Sequence, residues 1–191
     1  MSMTKKLFAT LFASLLLAAC GSTPPPVHYY SVLSSSVDVE LAQAPLEYEI
    51  LLVHRVEVAE YLNDPRLVME SGTSELLLLP QQRWAGPLSS ELTGLTVETL
   101  GRIYPNMVVS SDYHGADANL RIEVFSFHLS SNSSVRVSGR YYFKDKGGLF
   151  VSLPFQTQAN FEVGNYADAV TQLKQLWIEL LVTASENIKQ K

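Results

Sequence analysis

The sequence predicts an α/β fold in which two main amphipathic helices pack on a mixed sheet of about five to six strands. Apolar residues recur at helical spacing in two stretches, 88–103 and 166–188. Elsewhere, apolar and polar residues alternate in short runs that turn residues separate, which is the pattern of strands. Several strands together with two amphipathic helices favour helices packed on a sheet.

The first half of the chain is predicted to form mainly strands. Residues 28–34 predict a first strand, and alternation over residues 47–58 predicts a second. The sequence Asn63-Asp64-Pro65 indicates a turn. Two apolar runs flank residues 71–74 (Ser-Gly-Thr-Ser), so these runs are expected to pair as a hairpin.

The middle of the chain begins with a helix that is expected to start after Pro87 and to stop at Tyr104-Pro105-Asn106. A short strand is predicted at residues 106–110 and a longer one at 118–129. Alternation shifts phase within the longer strand, which indicates a β-bulge. Residues 145–148 (Asp-Lys-Gly-Gly) form the turn of the clearest predicted hairpin.

The closing helix is predicted to be capped by Asn165, with Asp168 as the reciprocal partner of the cap. One face of this helix is apolar and is expected to be buried in the core, including Trp177. The residues of that face are Tyr166, Val170, Leu173, Trp177, Leu180, Ala184 and Ile188.

The N-terminus has the pattern of an export signal. Two lysines precede an apolar run at residues 7–17, and Leu17-Ala18-Ala19 leads into Cys20. The apolar run is shorter than the roughly 20 residues that a membrane-spanning helix needs. Residues 1–19 are therefore predicted to be a signal peptide that is cleaved before Cys20.

Cys20 is the only cysteine of the chain, so an internal disulfide is excluded. A free thiol or a disulfide to another molecule are the general alternatives for a lone exported cysteine. The preceding Leu-Ala-Ala matches a lipobox, so covalent lipid on Cys20 is predicted to anchor the protein. Gly21 predicts the outer membrane, because aspartate at this position is the residue that retains lipoproteins in the inner membrane.

The mature protein is predicted to be a lipidated, Pro-rich tether at residues 20–27 followed by a single periplasmic α/β domain at 28–191. Removal of the signal peptide takes away two lysines and no acids, so the formal charge changes from −5 to −7. This acidic balance argues against nucleic acid as a partner. High apolar content and modest charge argue against disorder over most of the chain.

No pattern in the sequence indicates catalysis. The Gly-x-Ser-x-Gly, Gly-x-Gly-x-x-Gly and phosphate-binding loop motifs are absent. The four histidines lack metal-ligand spacing, and His54 and His128, predicted to lie in strands, are interpreted as structural. We therefore expect no catalytic residue, no metal and no cofactor apart from the covalent lipid.

One strand carries a candidate surface for binding a partner. Arg136, Arg140, Tyr142 and Lys144 alternate with apolar residues, so they are expected to share one side of the strand. A solvated strand face is the simpler interpretation of this pattern. The functional alternative is a docking strip for an acidic partner or for lipid head groups.

Three segments of the chain resemble the ABC-type transport auxiliary lipoprotein family. Residues 56–68 read Val-Glu-Val-Ala-Glu-Tyr-Leu-Asn-Asp-Pro-Arg-Leu-Val, and residues 84–88 read Trp-Ala-Gly-Pro-Leu. The start of the domain, Tyr-Tyr-Ser-Val-Leu at 29–33, is also similar to the start of the family, and the closing amphipathic helix fits its end.

The resemblance implies a three-layer α/β arrangement and a non-enzymatic role in transport between the inner and outer membranes. The implied partner is an MCE-domain protein of a lipid transport system that supports envelope integrity. An alternative is a pilotin-like or assembly lipoprotein that chaperones an outer-membrane complex. Binding to a second copy of the same chain is a further expectation for the partner.

Overall fold

The structure, a computed structural model, describes residues 24–34, 48–72 and 74–189. The predicted signal peptide, Cys20 and Gly21 lie outside the described residues, as does residue 73 of the predicted hairpin turn. Residues 24–27 of the predicted tether are exposed and belong to no helix or strand. Among the described residues, no helix has the length and apolar character needed to cross a membrane.

The described part of the chain forms one mixed sheet and two long helices, which confirms the predicted fold class. The strands are β1 (His28–Tyr30), β2 (Ile50–Val53), β3 (Glu57–Val58), β4 (Arg66–Ser71), β5 (Glu75–Trp84), β6 (Val108–Ser110), β7 (Ala118–Ser130), β8 (Ser134–Asp145) and β9 (Phe150–Asn160). The helices are α1 (Leu88–Ile103) and α2 (Tyr166–Lys189), and a 3-10 helix spans Glu60–Asn63. The described sheet has nine strands, more than the predicted five to six, because several are too short to show a period.

β7 organises the sheet. One edge of β7 pairs antiparallel with β8 along almost its whole length, and β9 continues antiparallel beyond β8. The other edge pairs in parallel with β2, β3 and β4 in succession. β5 pairs antiparallel with β4, while β1 and β6 add in parallel to β5 and β2.

The predicted second strand is divided in two. Val56 does not continue the strand: its backbone N–H donates to the hydroxyl of Thr93 on α1, with 2.9 Å between the nitrogen and oxygen atoms. His54 follows β2 and is exposed, so its predicted place in a strand is wrong. The predicted first strand is also shorter, since residues 31–34 form a turn. The alternation of apolar and polar residues does not show that the Val56 N–H binds a helix side chain instead of a neighbouring strand.

The predicted β-bulge of the long strand is confirmed. The register between β7 and β8 shifts between Val124 and Ser126, and Phe125 at this position is exposed. Gly139 on β8 faces the bulge, where a Cβ atom would overlap the carbonyl oxygen of Glu123. Glycine is therefore needed at this point because two backbones approach each other closely.

The predicted cap of α2 is confirmed in one of its two bonds. The side-chain oxygen of Asn165 accepts the N–H of Asp168 at 3.0 Å. The Asp168 carboxylate does not return to the cap residue, because it accepts the N–H of Glu162 at 2.7 Å. The hydrogen bond from the Glu162 N–H, together with one from the side chain of Gln172, lowers the pKa of the Asp168 carboxyl.

Both helices cover the same face of the sheet. Trp177 of α2 is fully buried between the rings of Phe127 and Phe155, and its indole N–H donates to Thr96 of α1. Asn187 of α2 reaches the hydroxyl of Tyr141 on β8. The described residues form one helical layer and one sheet layer, and the three-layer arrangement implied by the resemblance stays a prediction, since residues 35–47 lie outside the described residues.

Candidate docking surface

The side of β7, β8 and β9 that α1 and α2 leave uncovered is termed the open face. Val135, Val137, Tyr141 and Phe143 of β8 point into the core. The alternate residues Arg136, Arg140, Tyr142 and Lys144 therefore lie together on the open face, as the alternation predicts. Their neighbours on β7 are His128, Glu123, Arg121 and Asn119, in the same order.

The four candidate residues differ in their partners. Arg136 lies 3.3 Å from the carboxylate of Glu70, and Tyr142 donates its hydroxyl proton to Glu123 at 2.9 Å. Arg140 donates to the hydroxyl of Ser152 at 3.1 Å. Lys144 is exposed, and its side chain makes no hydrogen bond or ion pair with the described residues. Among the four, only Arg140 and Lys144 are cations without a carboxylate partner in the described chain.

Neighbouring strands reduce the charge of the predicted cationic strip. Arg121 on β7 pairs with Glu57 at 2.8 Å and lies 3.7 Å from Glu123. Glu123 also raises the pKa of the Tyr142 hydroxyl, chiefly through the hydrogen bond that it accepts. Three cations (Arg121, Arg140, Lys144) and two carboxylates (Glu57, Glu123) leave a net charge of +1, and the Arg136–Glu70 pair adds none. Sequence alternation within one strand does not show this compensation.

One end of the open face contains a shallow polar groove of about 170 Å³. Its lining combines hydrogen-bond donors and acceptors, from His54, Glu57, Asn119, Arg121, Tyr142 and Lys144. His54 lies 3.3 Å from the side-chain oxygen of Asn119, and Arg121 is held by Glu57. Lys144 is thus the cation in this groove that can bind an acidic group of a partner without first breaking an ion pair.

A buried polar cluster lies beside Arg136 that the sequence analysis did not identify. The ring of His128 is buried, and its Nδ1 lies 3.0 Å from the hydroxyl of Tyr61, which donates to the carbonyl of Phe125. The His128 Nε2 lies 3.7 Å from Glu70 and makes no hydrogen bond. Burial lowers the pKa of His128, an effect that Glu70 opposes only in part. A neutral, structural histidine fits this position.

The motif residues of the 56–68 segment serve the fold. Asp64 accepts three hydrogen bonds from Arg66, two from the guanidinium and one from the backbone N–H. These bonds lower the pKa of the Asp64 carboxyl to about 2. The ion pair fixes the turn between the 3-10 helix and β4, and nothing in its geometry suggests catalysis.

The 84–88 segment fixes the start of the domain. Trp84 is buried, and its ring lies 5.9 Å from that of Phe127. The segment leads into α1, where the buried Glu91 accepts the Val32 N–H at 2.9 Å and the Ser31 hydroxyl at 2.8 Å. Glu91 therefore holds the chain that follows β1 against the first turn of α1.

Comparison with known proteins places the chain in a family. The sequence model of one protein family, the ABC-type transport auxiliary lipoprotein component, matches residues 32–184. The intermembrane transport lipoproteins PqiC of Escherichia coli K12 and of Shigella flexneri are each 27% identical to this chain over 189 residues. The alignment covers 97% of this chain and 98% of each relative.

Two crystal structures share the fold. One, of an uncharacterized protein, has a TM-score of 0.74 at 24% identity and covers 86% of this chain and 99% of its own. The other, of a Xanthomonas campestris protein, has a TM-score of 0.66 at 14% identity and covers 86% of this chain and all of its own. With a family match over most of its length, this chain belongs to the ABC-type transport auxiliary lipoprotein component family.

Proposed function

We propose that this chain is an outer-membrane-anchored periplasmic lipoprotein that acts as a non-enzymatic auxiliary subunit of an MCE-type intermembrane lipid transport system. In this role it supports envelope integrity and docks onto the MCE-domain protein of the same system. The relatives described as intermembrane transport lipoproteins support the transport role, because they align with nearly the whole chain. The lipid on Cys20 supplies the anchor in this proposal.

The open face is the proposed docking surface, and one observation carries this assignment. Arg140 and Lys144 lie on the same side of β8, and neither has a carboxylate partner among the described residues. Tyr142 lies between them and adds a ring with a polar end. A tethered domain has a high effective concentration near its partner, so even a modest polar surface can hold the complex.

Reversing two charges on the open face is expected to weaken association with the partner. Arg140→Glu with Lys144→Glu removes the two cations that have no carboxylate partner in the described chain, and rim charges mainly set the association rate and the register. Arg136 is left unchanged, because its guanidinium lies against Glu70 beside the buried His128. The measurement is capture of the MCE-domain protein by the detergent-solubilised lipoprotein.

The control for a charge reversal elsewhere is Arg102→Glu on α1, which reverses one charge on the helical layer and breaks the exposed ion pair with Glu98. Circular dichroism should show that all variants are folded. Equal capture by wild type and the double variant would discard the open face as the docking surface. If the wild type captures no MCE-domain protein but an outer-membrane complex instead, the assembly-lipoprotein alternative is favoured.

Sorting to the outer membrane gives a separate test. Wild type is expected to fractionate with the outer membrane, and Gly21→Asp is expected to shift the protein to the inner membrane. The physical basis is recognition of the residue after the lipidated cysteine, so a Gly21→Ser variant should stay in the outer membrane. Wild-type protein found mainly in the inner-membrane fraction of a host with this sorting rule would contradict the proposed location.

A further inference from the structure

Three exposed apolar residues lie at one end of the sheet. Leu76 and Leu77 begin β5 next to the hairpin turn, and each is 41% exposed. Val163 is 81% exposed in the loop between β9 and α2. Leu76 and Leu77 are adjacent on β5, whereas Val163 follows β9, about 19 Å away across four strand spacings. Exposed apolar side chains along one end of a sheet are candidates for contact with an apolar partner.

The sheet register shows that these residues share the same end. Leu76 faces Glu70 on β4, and Glu70 faces Ser130 on β7. Ser130 faces Ser134 on β8, which faces Asn160 on β9. This row crosses the sheet, and Val163 follows Asn160 by three residues. The end of the sheet that carries Leu76, Leu77 and Val163 is termed the tether edge.

The direction of β1 points the chain that precedes it toward this edge. β1 is parallel to β5, with His28 beside Gln82, so the chain before His28 leaves in the direction of Glu75. On β4, Arg66 faces Arg83, which pairs with β1, and Glu70 faces Leu76. About four residues of β4, roughly 13 Å along the strand, therefore separate β1 from Leu76. Eight residues in the polyproline conformation span about 25 Å, which is the reach that the sequence gives the predicted tether at residues 20–27. The tether is therefore long enough to let Leu76 reach the lipid surface.

We propose that the tether edge inserts Leu76, Leu77 and Val163 into the surface of the membrane that holds the lipid anchor. This inference rests on the proposed lipidation of Cys20, which sets the distance to the lipid. Glu75 and Glu162 are the exposed charges next to the three residues, so anionic head groups do not attract this edge. The contact is apolar, and it fixes the domain with its strands steeply inclined to the membrane.

The test places a fluorescent probe on the lipidated full-length protein. Because lipid occupies Cys20, Leu77→Cys creates the only free thiol for labelling with an environment-sensitive dye. The protein is reconstituted into phosphatidylethanolamine–phosphatidylglycerol vesicles with or without spin-labelled lipid. We expect a blue-shifted emission that spin-labelled lipid quenches and that high salt leaves unchanged, and the same result for Val163→Cys.

The matched control is Phe150→Cys, since Phe150 is 61% exposed at the opposite end of β9. Its probe is expected to keep a water-like emission and to remain unquenched. Water-like emission at residue 77 in protein that floats with the vesicles would overturn the membrane contact while leaving the anchor intact. Failure to float would instead contradict the anchor. A shift at residue 77 that needs added MCE-domain protein would also overturn the proposal, because a protein would then be the occupant.

Discussion

Replacing Trp177 with alanine is expected to lower the free energy of unfolding by about 3–5 kcal/mol. The side chain has no exposed surface, and its ring packs edge-on against Phe127 and Phe155 at centroid distances of 6.2 and 6.3 Å. Its indole N–H donates to the Thr96 hydroxyl at 3.1 Å, which joins α2 to α1. Alanine would leave a cavity where both helices meet the sheet. Chemical denaturation followed by circular dichroism measures the change.

Two further variants make this test specific. Phe150→Ala removes an exposed aromatic ring and is expected to change the free energy of unfolding by about 0.5 kcal/mol or less. Trp177→Phe keeps a ring but loses the hydrogen bond to Thr96, so its unfolding free energy should lie between those of wild type and the alanine variant. Equal stability of Trp177→Ala and Phe150→Ala would show that the Trp177 side chain is not part of the core.

Replacing Cys20 with alanine is expected to abolish lipid anchoring. Each buried methylene of an acyl chain contributes about 0.8 kcal/mol, and two chains give stable attachment. The thiol is the proposed site of acylation, and alanine has no equivalent group. The variant should be released from membranes as a soluble protein or accumulate as the precursor that retains residues 1–19. Fractionation and intact-mass spectrometry distinguish these two products.

The mass of the wild-type mature protein decides the prediction. It should exceed the mass of the chain that begins at Cys20 by the mass of the attached lipid. A Ser22→Ala variant should carry the same modification, because it leaves the thiol and its preceding residues intact. An unmodified thiol on mature wild-type protein would contradict lipidation. It would also remove the anchor on which the orientation of the tether edge depends.

Sequence patterns predict best where one element presents one face to the core. The bounds of α1 agree with its apolar spacing, since Leu92 and Leu95 are buried on the side that the spacing predicts. The hairpin of β8 and β9 and the bulge of β7 also agree, because strand alternation directly records which side is buried. Partners from distant elements are less predictable, as at Val56, where a threonine hydroxyl replaces a strand neighbour.

On the open face, too, local alternation predicts which side chains share a side, but it does not predict their partners from other strands. Alternation alone places Arg136, Arg140, Tyr142 and Lys144 on one side of a strand, and the structure agrees. Alternation cannot show that Glu70 and Glu123, from two other strands, neutralise part of this surface. Nor does it show that Arg140 and Lys144 differ from Arg136 in lacking a carboxylate partner in the described chain. Glu70 precedes Arg136 by 66 residues in the sequence, and the two side chains become neighbours only when the sheet forms.

The sequence by itself determined the α/β class, the two helices, the main hairpins and the side of β8 that faces away from the core. Local periodicity carries this information because a helix or strand repeats its exposed and buried positions at a fixed interval. Only the tertiary structure decided the order of the strands, the packing of both helices on one face and the common end of Leu76 and Val163. These features depend on contacts between distant segments, and many pairings of short strands bury similar apolar area.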